Sequence, residues 1–201
     1  MNRIITIGRE FGSGGREFGR RLAEELGIEY YDREIITEIS KHTKLSEEYV
    51  QQIIERTPHR LYPITVGHSM AHVEDYSFTQ AQAVFQAQAK ILKELAEKSD
   101  CVIVGRCADF ILREYKPFDI FVYADLDSRV KRCVERRTED EPVLDEKKLR
   151  RKIKRIDRHR ARYYSFYAGR KWGDKENYDL CVNTTDTVIK DLVPIIAKMF
   201  K

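Results

Sequence analysis

Residues 4–19, "IITIGREFGSGGREFG", decide the fold. Ile4-Ile5-Thr6-Ile7 is a β-branched apolar run, the mark of a short buried strand. Gly12, Gly14 and Gly15 follow. Arg16–Leu26 then places Phe18, Leu22, Ala23 and Leu26 at helical spacing, and Gly27 is a natural helix stop. In a loop between a buried strand and a helix, backbone N–H groups and the helix dipole can hold a phosphate. Glycines let such a loop curl and approach oxygen atoms without a Cβ in the way. The plainer alternative is a strand-to-helix turn with spare glycines. The strict loop pattern GxxxxGK[ST] is not met, because its lysine is missing.

Outward from this unit, Ile28–Asp32 reads as a second strand, so the chain opens as the start of a parallel α/β sheet. Helical patterns fill Arg33 to about Lys98, broken between Pro58 and Pro63. Val102-Ile103-Val104, Phe118–Tyr123 and Tyr178–Asn183 read as further strands. Asp127–Arg137 and Glu146–Tyr167 read as basic helices separated by an acidic loop, and Thr187–Phe200 as a closing amphipathic helix.

The composition is that of a globular chain with a heavily charged surface, at 42% hydrophobic and 35% charged residues. No apolar run approaches the roughly 20 residues of a membrane span, and no secretory h-region opens the chain. A cytoplasmic protein with no membrane partner is expected. The four cysteines form no CxxC pair, so buried thiols are expected rather than a zinc site or a disulfide framework. The net charge of +4 is unevenly spread. Arg129–Arg162 holds 15 Lys/Arg against 7 Asp/Glu, which points to a site for a concentrated anion.

The stretch "GSGGREFGRRLAEELGIEYYD" resembles the phosphate loop, first helix and second strand of bacterial cytidylate kinases. "VIVGR" and "IKRIDRHRAR" resemble their monophosphate site and lid, and "YDLCVNTTD" their last strand and base-adjacent loop. The order of these pieces is most similar to the cytidylate-kinase-like branch. The resemblance implies a three-layer α/β fold, with a parallel five-stranded sheet flanked by helices. This is the P-loop nucleoside monophosphate kinase type, with a helical acceptor insert and a helical lid. It implies one domain over 1–201: core 1–37, 86–128 and 168–201, insert about 38–85, lid about 129–167. It also implies ATP and Mg2+ as cofactors.

Residue by residue, the resemblance puts Gly15 where the loop lysine belongs, Arg16 after it, and Glu17 near the magnesium-holding hydroxyl. Arg9 or Arg16 is then the candidate to supply the lost cation, since a guanidinium can grip phosphate oxygens in bidentate fashion. Gly12, Ser13, Gly14, Gly15, Arg16, Glu17 and Arg129 are the expected donor-nucleotide contacts, with Arg132 an alternative to Arg129. Ser13 and Asp32 are the candidate metal ligands, and magnesium held mainly by phosphate and water is the alternative. Capping of the following helix is the equal alternative for Asp32. Arg33, Arg106, Asp109 and His159 are the expected acceptor contacts. Cys107 stands where an aspartate should read the base, and Asp109 is its candidate substitute. Arg155 and Arg162 match the lid arginines, with His159 in the place of an aspartate. Catalysis is assigned to Arg155, Arg162, Arg16 and Asp32. Tyr163, Tyr164, Tyr167 and Trp172 suit packing of the lid more than stacking on a base.

These residues point to an ATP-dependent kinase that passes a phosphoryl group to a nucleoside monophosphate, CMP-like in the first instance. The alternatives are a nucleotide-binding protein without catalysis, and a kinase of another small phosphorylated metabolite. An RNA-binding module would leave the glycine loop unexplained, so nucleic acid ranks last among partners. The Gln- and aromatic-rich turns between Ser77 and Gln88 suit a homodimer interface as well as a core.

Overall fold

The computed structural model describes residues 2–55, 76–138 and 142–201. Five strands form one sheet: β1 (Ile4–Arg9), β2 (Glu29–Tyr31), β3 (Cys101–Val104), β4 (Phe118–Tyr123) and β5 (Leu180–Asn183). Their order is β2-β3-β1-β4-β5, and every pairing is parallel. β1 is central, with Ile5 opposite Val102 on one side and Phe118 on the other. A parallel sheet of this kind is covered on both faces, which is why β1 and β3 read as continuous apolar runs.

Most of the eight α-helices of the described residues cover those faces. On one side, α1 (Gly15–Leu26) and α8 (Ile189–Ala197) bury Phe18, Leu22 and Val193 against Ile5, Ile7 and Val104. On the other lie α2 (Glu34–Thr43), α3 (Glu47–Glu55), α4 (Tyr76–Lys98) and α5 (Ala108–Ile111). They share a core with Ile4 and Ile103 that also takes in Tyr163 and Tyr164 of α7 (Glu146–Ala168). A third, smaller cluster joins α6 (Leu126–Glu135) to the first half of α7. There Val130, Leu149 and Ile153 pack with Phe11 of the glycine loop. The basic helices are thereby anchored directly on the loop.

Local chemistry sets the helix ends. Asp125 caps α6 by accepting from Ser128 N–H at 2.6 Å, and Asp145 caps α7 by accepting from Lys148 N–H at 2.7 Å. α8 starts later than its apolar pattern suggests, because Thr184 to Thr187 close a turn through a 3.3 Å backbone bond. β5 also starts late, because Lys175–Asn177 form a 3₁₀ turn capped by Asp174. Among the described residues, no helix is long and apolar enough to cross a membrane.

Candidate active site

All five strands run the same way, so their carboxyl ends gather at one edge of the sheet, where ligands collect in open α/β folds. Arg9 ends β1, Asp32 and Arg33 follow β2, and Gly105 and Arg106 follow β3. The glycine loop lies at the same edge. Gly14 takes φ 81° and precedes the first turn of α1, whose N-terminus has no side-chain cap. A Cβ at Gly14 would also fall 2.2 Å from Ile189 Cδ1. The loop is pinned from outside by Thr184, whose hydroxyl donates to Ser13 O at 2.7 Å, and by Arg132, which donates to Gly12 O at 3.2 Å and Thr184 O at 2.8 Å. Gly15 N–H donates to Ser13 Oγ at 3.4 Å, and the other first-turn N–H groups suit an anion.

The turn after β3 is built under strain. Gly105, Arg106 and Cys107 all have left-handed backbones, with φ of 75°, 63° and 51°. Two such residues with side chains in succession are costly and mark a turn that its surroundings hold in place. Gln88, fully buried in α4, donates from Nε2 to Arg106 O at 2.8 Å and so fixes it.

Two cavities meet at this edge. The larger, about 770 Å³, is lined by Arg33, Arg106, Arg155 and His159, with Tyr163, Tyr164, Trp172 and Tyr178 at its aromatic end. Asp109 opens into it and accepts a 2.5 Å bond from Tyr164 Oη. Burial raises the Asp109 carboxyl above its usual range, with the Tyr164 bond working the other way. The second cavity, about 430 Å³, runs along Gly12, Gly14 and Gly15 to an apolar wall of Val134, Pro142, Val143 and Leu144. Arg9, Arg16, Lys152 and Arg160 line both. Each cavity suits one small molecule, and a wall of cations separates them.

The family model for the cytidylate kinase-like family matches residues 4–186. The chain belongs to the cytidylate kinase-like family. An uncharacterized protein from Eubacterium ventriosum is similar in structure at 29% identity, with a TM-score of 0.66 and 98% of each chain covered. Shikimate kinase from Bacteroides thetaiotaomicron aligns at 15% identity and a TM-score of 0.59, covering 98% of each chain. Shikimate kinase from Acinetobacter baumannii aligns at 18% identity and 0.55, covering 100% of this chain and 93% of that one. At such identities these two show the fold alone, that of P-loop kinases. No curated protein matches the chain in sequence.

Within this cytidylate kinase-like chain the expected site residues fall into three groups. Arg16, Arg33, Arg106, Asp109, Arg155 and His159 all line the larger cavity, and among the described residues His159 Nδ1 has no hydrogen-bond partner. Arg129 and Glu17 are engaged inside the protein. Arg129 is 6% exposed and pairs with Glu10 at 3.1 Å and with Asp157, while its Nε donates to Phe11 O at 2.7 Å. Glu17 pairs with Arg21 at 2.7 Å and with Arg136. Burial opposes its charge, but hydrogen bonds from both arginines hold its carboxyl below the usual range. Arg162 is exposed on α7 and lines neither cavity. The sequence also offers His59, Arg60, His68, His72 and Tyr76 for an acceptor pocket, with surface or packing roles as the alternative; the first four lie outside the described residues, and Tyr76 opens α4.

The metal candidates offer a single unpartnered oxygen, Asp32 Oδ1, and no complete donor set among the described residues. Ser13 is fully buried, and its hydroxyl donates to Glu10 O at 2.9 Å. Asp32, 3% exposed, pairs with Arg16 through Oδ2, while its Oδ1, 3.6 Å from Arg9 Nη2, accepts no hydrogen bond among the described residues. Among the described residues no group of three or more His, Cys, Asp or Glu side chains is placed to hold a metal ion. These residues do not fit a protein-held magnesium.

Lys152, Asp157 and Arg160 stand out only in the structure. Asp157 accepts from Phe11 N–H at 2.7 Å as well as pairing with Arg129, so it ties α7 to the loop. Arg160 donates to Arg9 O at 3.0 Å. A lone acid inside a basic helix was the available signal for Asp157. For Lys152 and Arg160 the spacing offered no such signal, because Ile156 stands between them and the helix is basic nearly all round.

Proposed function

We propose that the chain is an ATP-dependent phosphotransferase whose acceptor is a nucleoside monophosphate, CMP-like in the first instance. The observation that carries this reading is the cationic wall shared by the two cavities. The donor would lie along the glycine loop with its base against Val134, Val143 and Leu144. The acceptor would lie with its phosphate toward Arg33 and Arg106 and its base toward the tyrosines and Asp109. The γ-phosphoryl group would then sit among Arg9, Arg16, Lys152 and Arg160. An acceptor phosphate oxygen forms the new O–P bond as the bond to the β–γ bridging oxygen breaks, and ADP leaves with the electron pair. An oxygen already ionised at neutral pH needs no base, so positioning and charge neutralisation suffice.

In this reading residues 38–85 form the acceptor insert and residues 129–167 the lid. Arg129 supports the loop instead of touching nucleotide, and magnesium is carried by phosphate and water with no side chain assigned to it. Among the described residues no disulfide joins the four cysteines, which agrees with a reducing cytoplasmic setting.

One observation favours a second reading, nucleotide binding without transfer: the Ser13 hydroxyl is bonded to Glu10 O and one of the two Asp32 oxygens is paired with Arg16. Incubation with ATP, magnesium and a panel of nucleoside monophosphates separates the two. ADP formation that depends on CMP or a close relative, and falls at least about 100-fold in Arg106→Ala, supports the kinase. ATP binding without turnover across the panel removes the nucleoside monophosphate kinase and leaves the sensor or another phosphorylated acceptor.

A further inference from the structure

The loop lacks its lysine, yet the site is not short of cations, and the packing shows why the two facts belong together. Gly15 is the first residue of α1, where the strict phosphate loop carries lysine. It does not have a left-handed backbone, so conformation alone does not demand glycine. Space does. A Cβ at Gly15 would lie 2.5 Å from Arg9 Cβ, 3.1 Å from Arg9 Cγ and 3.2 Å from Val122 Cβ. The first of these is a contact between atoms fixed by the backbone, which no rotamer change relieves. The far end of Arg9 is equally confined: a Cβ at Gly105 would fall 1.7 Å from Arg9 Nη1. Arg9 thus threads from the end of β1 between two glycines, and its guanidinium reaches the wall shared by the cavities.

Resting on the nucleotide-donor reading above, we infer that Arg9 takes the part of the missing loop lysine toward the donor β-phosphate, and that Gly15 is glycine because Arg9 occupies the room. The choice between Arg9 and Arg16 follows from their surroundings. Arg16 is half exposed, and its guanidinium is already spent on Asp32. Arg9 has a 12% exposed side chain, and its sole carboxylate neighbour among the described residues, Asp32, is 3.6 Å away, beyond a hydrogen bond. Burial, followed by the nearby charge of Arg160, pushes its pKa well below the usual arginine value, and Arg106 and Arg16 act the same way. A buried guanidinium among like charges is a site completed by an anion.

The test is a double-mutant cycle read by calorimetric binding of ADP and AMP, which differ in the β-phosphate. Arg9→Met is expected to weaken ADP binding about 10- to 100-fold, the worth of one or two charge-assisted bonds, and AMP binding less than about threefold. Arg9→Lys, which keeps the charge, retains most of the preference for ADP. Gly15→Lys alone collides with Arg9 and loses ADP binding or stability. Arg9→Gly, which also removes the Cβ that a side chain at position 15 would meet, together with Gly15→Lys restores a lysine loop and recovers at least about tenfold over Arg9→Gly. Thermal unfolding reports which variants fold. Should Gly15→Lys fail to fold, the Arg9→Met and Arg9→Lys comparison still decides. Equal loss of ADP and AMP binding in Arg9→Met, or equal loss of ADP preference in Arg9→Met and Arg9→Lys, overturns the inference. Absence of ADP binding in the unmodified protein overturns it together with the nucleotide reading. ADP binding with the expected pattern but no turnover would leave it standing and remove the kinase.

Discussion

Arg129 shows how much a single residue's meaning depends on its partners. In the sequence it is one basic residue on a basic helix. In the fold it is buried between Glu10 and Asp157 and holds the carbonyl of Phe11. Removing one partner of a buried ion network leaves charges uncompensated. Arg129→Ala is therefore expected to cost about 3–5 kcal/mol, measured by urea unfolding, and to loosen the loop it supports. Asp119 makes a second case. It faces Thr6 across β4 and β1, and burial raises its carboxyl from 3.8 to about 7, with Thr6 opposing and Asp109 and Asp179 adding to the rise. A carboxyl raised in the folded state binds more protons there than in the unfolded chain. Its penalty is thus absent below the unfolded value and grows as pH rises to about 7. Asp119→Asn should flatten that part of the stability-versus-pH curve, and the gap between the variant and the parent should widen from about pH 4 to 7. An unchanged profile would place the Asp119 pKa in the ordinary range.

At the scale of the element, α7 is the instructive case. Its charge was plain in the sequence, and so was its length. Which of its residues face the site was not, because the helix is basic nearly all round and the pattern does not single out an inner stripe. Burial of Leu149 and Ile153 against α6, and of Tyr163 and Tyr164 against the sheet, fixes its rotation. With about 100° per residue, that rotation brings Lys152 and Arg160 to both cavities, Arg155 and His159 to the larger one, and leaves Arg162 outside. If the kinase reading holds, Arg160→Ala should lower turnover at least about 100-fold, and Arg162→Ala less than about threefold at moderate ionic strength. The reverse ranking in steady-state assays would mean that α7 turns or shifts when ligands bind. Strand and helix identities were mostly legible, since β1, β3 and β4 are apolar runs and α1 is amphipathic with a glycine stop. The short α5 was not, because it depends on the left-handed turn at Gly105–Cys107, which Gln88 holds from another element.

For the whole molecule, ligand binding should be visible as stability. A donor nucleotide that binds only the folded state at a hundred times its dissociation constant adds about 2.7 kcal/mol, which for a chain of this size raises the melting temperature by roughly 5–10 °C. ATP and ADP should do so in a thermal scan. Gly14→Ala should abolish the effect, because its Cβ would collide with Ile189 on α8 and its left-handed backbone disfavours a side chain. A full shift in that variant would mean that nucleotide is not held by the glycine loop. By itself the sequence determined the parallel α/β class, the loop between β1 and α1, the family, and the cationic character of the site. Those rest on local spacing, residue type and order along the chain. The tertiary structure alone decided which cations converge, that Arg129 is a brace, and that Arg9 fills the room of an absent lysine. Each of these depends on atoms far apart in sequence competing for one volume, which one-dimensional spacing does not encode.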